Sequence, residues 1–281
     1  MCPLKTTLRT EDRQVNGRHG PIPVRDYLPD AEQPDAKPFA WIHGGSFVGG
    51  GLDQPESDAV AWAIASTGRR VLTVDYRLAP RFSRFRDPDL RKPGHRFPIP
   101  LDDVVDAVDE YASSHGRRIF LGGASAGACL AASAAMRLRD DGQSPVAGIV
   151  LVYGVYHPEL PPLPESVQSR TSGIYRFIQM TPGLARRMNL NYAGSREALL
   201  RAFPGCGTLA GLPPTFLVDA DRDSLRASGQ LFASQLLAAG VQVRHVVICG
   251  SRHAFLNSPG KPLFREGIEV MVGAMANGIT G

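Results

Sequence analysis

The rhythm of the chain constrains its fold most. Short apolar, β-branched runs recur at 38–42 (PFAWI), 70–75 (RVLTVD), 118–122 (RIFLG), 147–153 (AGIVLVY), 214–219 (PTFLVD) and 242–249 (QVRHVVIC). Most are nearly continuous in hydrophobicity, as strands buried on both faces are. Between them lie helical patterns at 55–67, 101–113, 126–139, 223–239 and 262–276. The first opens with Pro55 and acidic residues, a favourable first turn, and the fourth stops at Gly240, a good residue just past a helix end. Alternation of this kind predicts an α/β fold: a mostly parallel sheet with helices on both faces. An alternating run at 22–28 (IPVRDYL) predicts an antiparallel edge strand. With no repeat and no linker, residues 1–281 are expected to form a single domain. Residues 155–212 break the rhythm, opening Pro-rich (HPELPPLPES), and predict a cap or lid insertion over the active site.

Composition narrows the function classes. Of the 31 basic residues, six (Arg81, Arg84, Arg86, Arg91, Lys92 and Arg96) fall within 81–96, beside only two of the 27 acidic residues. The rest of the chain is neutral, so the whole net charge of +4 sits in one loop. A nucleic-acid binder more often spreads a basic stripe over a face, and no nucleic-acid partner is expected. The four cysteines, Cys2, Cys129, Cys206 and Cys249, form no CxxC pair and read as free thiols. The polar N-terminus lacks a signal-peptide core, and no run of 18 or more apolar residues appears. These features predict a cytoplasmic protein with no membrane span.

Chemistry gathers after the strands. Gly123-Ala124-Ser125-Ala126-Gly127 follows one strand and opens a helix, the context a nucleophile elbow requires. Only small neighbours fit so tight a turn, which lifts the Ser125 hydroxyl to a helix N-terminus. GxSxG alone is a weak signal, and the strand and helix around it strengthen it. After strand 38–42 comes His43-Gly44-Gly45-Ser46-Phe47. Amides at Gly44, Gly45 and Ser46, with that of Ala126, are candidate oxyanion donors. His43 reads as a structural pin for that loop. A general base and an acid must complete the set. His245 lies inside a strand, whereas His253 follows it in a loop, the better position for a base. Asp219, Asp221 and Asp223 compete as the acid; the pattern alone leaves all three open.

Together these segments resemble the hormone-sensitive-lipase-like branch of the α/β hydrolases. HGGSFVGG is similar to that family's HGGG loop, DYRLAP at 75–80 to the stretch after its next strand, and GASAG to its GDSAG elbow. DSLR at 223–226 is similar to its D-P-L-R segment, and GSRHAF at 250–255 to its GxxHGF segment. The resemblance spans roughly residues 38 to 257. It implies an α/β-hydrolase fold and a carboxylesterase in which Ser125 is the nucleophile, His253 the base and Asp223 the acid, with no metal or organic cofactor. Departures are Ser46 for the third glycine, Ala124 for the Asp before the nucleophile, and Arg81 where a Glu often stands. Ser46 and the 155–212 segment point to esters of short or medium acyl chain. An amidase or formamidase, or other acyl-transfer or elimination chemistry on the same triad, is the enzymatic alternative; a ligand binder that kept the fold is the non-enzymatic one. Strand 242–249 could pair with a second copy in a homodimer, although nothing in the sequence requires it.

Overall fold

The apolar runs pair as parallel strands, and two more strands join them antiparallel. The computed structural model describes residues 8–116, 118–142, 144–163, 165–168 and 180–279. The strands are β1 (Leu8–Gly17), β2 (Gly20–Pro29), β3 (Phe39–Ile42), β4 (Val71–Val74), β5 (Ile119–Ala124), β6 (Val146–Val152), β7 (Thr215–Arg222) and β8 (Val243–Arg252). They form one sheet in the order β1-β2-β4-β3-β5-β6-β7-β8. The pairs β1/β2 and β2/β4 are antiparallel and all others parallel. The helices are α1 (Pro55–Ala65), α2 (Ile99–Ser114), α3 (Ala126–Asp140), α4 (Glu165–Gln168), α5 (Pro182–Ala193), α6 (Arg196–Ala202), α7 (Arg226–Ala238) and α8 (Pro262–Ala276).

Strand β3 shows how both faces are filled. Its residues alternate between two cores, as a strand's period of two requires. Phe39 and Trp41 join Val60 and Ile64 of α1 and Ile268 and Met271 of α8. Ala40 and Ile42 join residues of α2, α3 and α7 on the opposite face. The α/β architecture read from the sequence is thus borne out.

The N-terminal hairpin differs from expectation. Run 22–28 lies inside β2, which is paired on both sides; the edge strand is β1. Its sequence, LRTEDRQVNG, is charged, and only Val15 is buried along it. Cross-strand partners hold it: Arg25 pairs with Asp12 at 2.6 Å and Arg13 with Asp26 at 2.6 Å. The opposite edge is β8.

The connections place the chemistry. From β3 the chain steps outward to β4, then crosses back to β5 on the other side of β3. The order of strands therefore reverses between β3 and β5, and a crevice opens at their carboxyl ends, where ligands bind in open α/β sheets. The described part of the segment between β6 and β7 packs against this end. Tyr192 of α5 stacks on Phe47 with ring centroids 3.9 Å apart and planes 6° from parallel, and Phe203 meets both rings edge-on. Much of the proline-rich entry to this segment is described, but residue 164 and residues 169–179 lie outside the described residues. Cys129, Cys206 and Cys249 are unpaired; Cys2 also lies outside the described residues.

Helix α3 seats tightly against the end of β3. A Cβ on Gly127 would stand 2.1 Å from the Ile42 carbonyl oxygen and 2.4 Å from that of His43. Both are backbone atoms and cannot swing away. On Gly273 of α8, by contrast, a Cβ would meet nothing within 4 Å. Gly127→Ala should therefore destabilise the fold by about 1–3 kcal/mol. Gly273→Ala should be neutral or stabilising by up to about 1 kcal/mol. Urea unfolding of the two variants beside the wild type checks the pair, and equal midpoints would contradict the packing.

Candidate active site

The serine turn is built by sterics. Ser125 links β5 to α3 with φ 54° and ψ −117°, a conformation that costs a non-glycine residue roughly 1–3 kcal/mol. Its amide donates to the Val152 carbonyl at 2.9 Å, and its own carbonyl accepts from Ala128 and Cys129, which fixes the turn on both sides. Gly123 has no room for a side chain, since a Cβ there would lie 2.4 Å from the Gly127 carbonyl oxygen.

The last rung of the β7–β8 ladder sets the partners. Beyond a bulge at Ala220, Arg222 pairs with Arg252, so the next residues, Asp223 and His253, emerge side by side. His253 Nδ1 donates to Asp223 Oδ2 at 2.7 Å, and Ser125 Oγ lies 3.0 Å from His253 Nε2. With its proton held on Nδ1 by the carboxylate, the imidazole presents the Nε2 lone pair to the serine hydroxyl. The second Asp223 oxygen accepts the Leu225 amide at 3.0 Å. Asp223 thus closes a turn ahead of α7, which starts at Arg226 rather than at 223. The competing carboxylates are engaged elsewhere. Asp219 binds His245 at 2.8 Å within the sheet, and Asp221 accepts the Gly250 amide at 3.0 Å.

Burial works against a charged His253, but the Asp223 carboxylate, by charge and by hydrogen bond, outweighs it, with Glu56 adding a weaker pull. The net effect is a pKa above the ordinary histidine value.

The turn after β3 corrects one expectation. The Gly44 amide donates to Glu56 Oε1 at 2.7 Å, so Gly44 is not a free donor. Gly45, Ser46 and Phe47 all adopt positive φ, at 117°, 56° and 62°. This run turns the chain, with the Gly45 carbonyl accepting from Val48 and Gly49. Among the described residues, the amides of Gly45, Ser46 and Ala126 make no hydrogen bond, which leaves them free to serve an oxyanion. A serine at φ 56° sits where glycine is favoured, the physical meaning of the family's third glycine. His43 is wholly buried, donates from Nδ1 to the Gly44 carbonyl at 2.7 Å and stacks on Tyr76. Burial pushes its pKa down to about 4, so it stays neutral and structural.

Sequence reading missed the residue beneath this turn. Glu56 belongs to the acidic first turn of α1, a surface role by pattern, yet it is 1% exposed. Its carboxylate accepts from the Gly44 amide, from Tyr153 Oη at 2.6 Å and from Asn257 Nδ2 at 3.1 Å. Tyr153 in turn sets its ring edge-to-face against His253, centroids 5.1 Å apart. Burial raises the Glu56 pKa; Tyr153, Gly44, His253 and Asn257 favour its charged form. The network ties the donor loop to the imidazole. Two of its partners, Tyr153 and Asn257, lie 97 and 201 residues from Glu56, beyond any local pattern.

Ser125, a hydrogen-bonded His253, a buried Asp223 and free amides beside the serine form a constellation suited to nucleophilic acyl chemistry. The model for the α/β-hydrolase fold matches residues 39–86 and 88–257. The chain belongs to the α/β-hydrolase fold family. Within it, the resemblance to the hormone-sensitive-lipase-like branch is borne out. This α/β hydrolase is 31% identical over 252 residues to Esterase LipI of Mycobacterium tuberculosis, covering 86% of this chain and 73% of the relative. It is 33% identical over 249 residues to Carboxylesterase NlhH of the same species, covering 85% and 73%. A solved Pyrobaculum calidifontis esterase superposes with a TM-score of 0.81 at 31% identity, covering 97% of this chain and 86% of that one. Among the described residues, no group of three or more His, Cys, Asp or Glu side chains could hold a metal ion, and no helix is long and apolar enough to cross a membrane.

Replacing Asp223 with Asn removes the charge that raises the His253 pKa and leaves desolvation largely unopposed. The imidazole should then titrate at lower pH than in the wild type. NMR titration of the His253 ring would follow this, and an unchanged midpoint would refute the electrostatic account.

Proposed function

We propose that this α/β hydrolase cleaves carboxylic esters of short to medium acyl chain through an acyl-enzyme. The observation that carries the reading is the Ser125–His253–Asp223 row, with hydrogen bonds of 3.0 and 2.7 Å, beside free amides at the carboxyl end of the sheet. The names of the relatives, esterase and carboxylesterase, support the same chemistry.

In the proposed mechanism, His253 Nε2 takes the Ser125 proton as Oγ attacks the ester carbonyl. The amides of Gly45, Ser46 and Ala126 receive the oxyanion. Gly44 lies outside this set and contributes through Glu56, which holds the loop. Asp223 keeps the proton on Nδ1 and stabilises the imidazolium. His253 then protonates the departing alcohol, activates water, and the acyl group leaves Ser125. The segment between β6 and β7 acts as the cap of a single-domain enzyme. Leu160, Pro161, Leu163, Gln168 and Pro182 of this segment line a cavity of about 260 Å³ with Ser224, and neither Ser125 nor His253 borders it. Unpaired Cys129, Cys206 and Cys249 support a reducing, cytoplasmic setting.

Hydrolysis of p-nitrophenyl esters from acetate to laurate tests the proposal. The wild type should turn over the shorter esters, and Ser125→Ala should lose about 10⁴-fold or more in kcat. Turnover that survives in Ser125→Ala, or none in the wild type on any ester, would remove the reading. Wild-type kcat/KM should rise with pH as His253 loses its proton, with the midpoint above the ordinary histidine value. Glu56→Ala should lower kcat about 10- to 100-fold with KM little changed, because the donor loop loses its anchor. Glu56→Gln keeps an acceptor for the Gly44 amide and should recover part of that loss. An unchanged kcat in a folded Glu56→Ala protein would show that the network does not position the site.

A further inference from the structure

The basic loop 81–96, between β4 and α2, is neither consumed by the proposed chemistry nor a loose excursion. Its ends are built in: Phe82 packs on the hydrophobic core, and Asn191 of α5 donates to the Pro80 carbonyl at 2.8 Å. Arg96 donates to the carbonyls of Lys92 at 2.8 Å, Asp89 at 3.1 Å and Asn191 at 3.1 Å. Lys92 Nζ donates to the Arg81 carbonyl at 2.9 Å, and Arg187 of α5 to that of Arg84 at 3.3 Å. Arg96 and Arg187 are thus partly spent on shaping the loop.

What the frame holds outward is different in kind. Phe85 at the tip is 88% exposed, the most exposed large apolar side chain among the described residues. Arg84 and Arg86 flank it, and Arg81 stands nearby in the same exposed stretch. Both loop carboxylates have other partners: Asp87 pairs with Arg187 at 3.4 Å and Asp89 with Arg91 at 3.6 Å. Among the described residues, Arg81, Arg84 and Arg86 make no ion pair. An aromatic ring held in water between unpaired guanidiniums has no role inside the chain. At a lipid surface, the ring enters the boundary between headgroups and acyl chains, and the arginines meet anionic headgroups. A polyanion without an apolar face, such as heparin, would use the charges but leave the Phe85 ring in water.

The loop also lies on the side of the molecule that carries the site. It starts past the carboxyl end of β4, where the Ala79 amide donates to the Phe47 carbonyl at 2.8 Å, and it leans on α5, whose Tyr192 stacks on Phe47. We propose that Phe85, with Arg81, Arg84 and Arg86, is a peripheral docking surface for anionic lipid bilayers, seating the carboxyl end of the sheet against the membrane. The inference concerns binding and stands apart from the ester reading, so the two are measured separately.

Co-sedimentation of the full chain with vesicles tests it. The wild type should associate with phosphatidylcholine vesicles containing phosphatidylglycerol, weakly with phosphatidylcholine alone, and less as salt rises. Replacing Arg81, Arg84 and Arg86 together by Gln should weaken the association about 100-fold, at about fivefold for each charge. Phe85→Ser should weaken it about tenfold. All variants should keep the wild-type kcat/KM on soluble p-nitrophenyl acetate, and Ser125→Ala should bind vesicles as the wild type does. No association with the mixed vesicles, or association indifferent to Phe85→Ser, would overturn the proposal. So would binding to heparin or a single-stranded oligonucleotide as tight as to the mixed vesicles, whether or not Phe85→Ser weakens it, which would assign the patch to soluble polyanions.

Discussion

Everything at the carboxyl end of the sheet depends on how closely the turn at Ser125 approaches the end of β3. Gly127 packs where a Cβ would sit 2.1 Å from a backbone oxygen, so helix α3 can start there only with a glycine in its first turn. That contact sets the height of Ser125 above the sheet. It also brings the Ala126 amide and the Gly45–Ser46 amides to the two sides of one crevice. The positive φ values at Ser125, Ser46 and Phe47 are local costs tolerated because the sheet and helix packing around them over-determine the backbone.

A buried carboxylate then joins what the strands keep separate. Glu56 accepts from the donor loop, from the residue just past β6 and from the turn after β8. A charge so deeply buried is tolerated only when its oxygens are well supplied with donors, and here three serve it. The arrangement resembles a keystone more than a catalyst: Glu56 touches neither Ser125 nor His253 by hydrogen bond, yet the groups it holds flank both.

The parallel sheet was legible because burial on both faces writes continuous apolar runs, and the Ser125 turn was legible because its sterics admit only small residues. The residues of the row, Ser125, His253 and Asp223, could be read as loop positions after strands; what chose Asp223 among three carboxylates was the family resemblance, and the structure adds the reason the other two are occupied. Strand β1 was hidden because it is held by ion pairs and a hairpin partner, not by apolar alternation. Gly44 was misread because a run of glycines does not reveal which amide turns inward. Glu56 was hidden for a related cause. An acidic residue in a helix's first turn is ordinary at a surface, and its burial follows from partners that only the complete fold supplies.

The stacking of Phe47 on Tyr192 couples two distant parts of the chain. One ring belongs to the loop with the free amides and the other to α5, between β6 and β7, so the two cannot separate without disturbing the loop. Any shift of α5 would therefore be felt at the backbone that carries the amides of Gly45 and Ser46. The turn and the segment between β6 and β7 are in this sense one mechanical unit, although more than 140 residues of chain separate Phe47 from Tyr192.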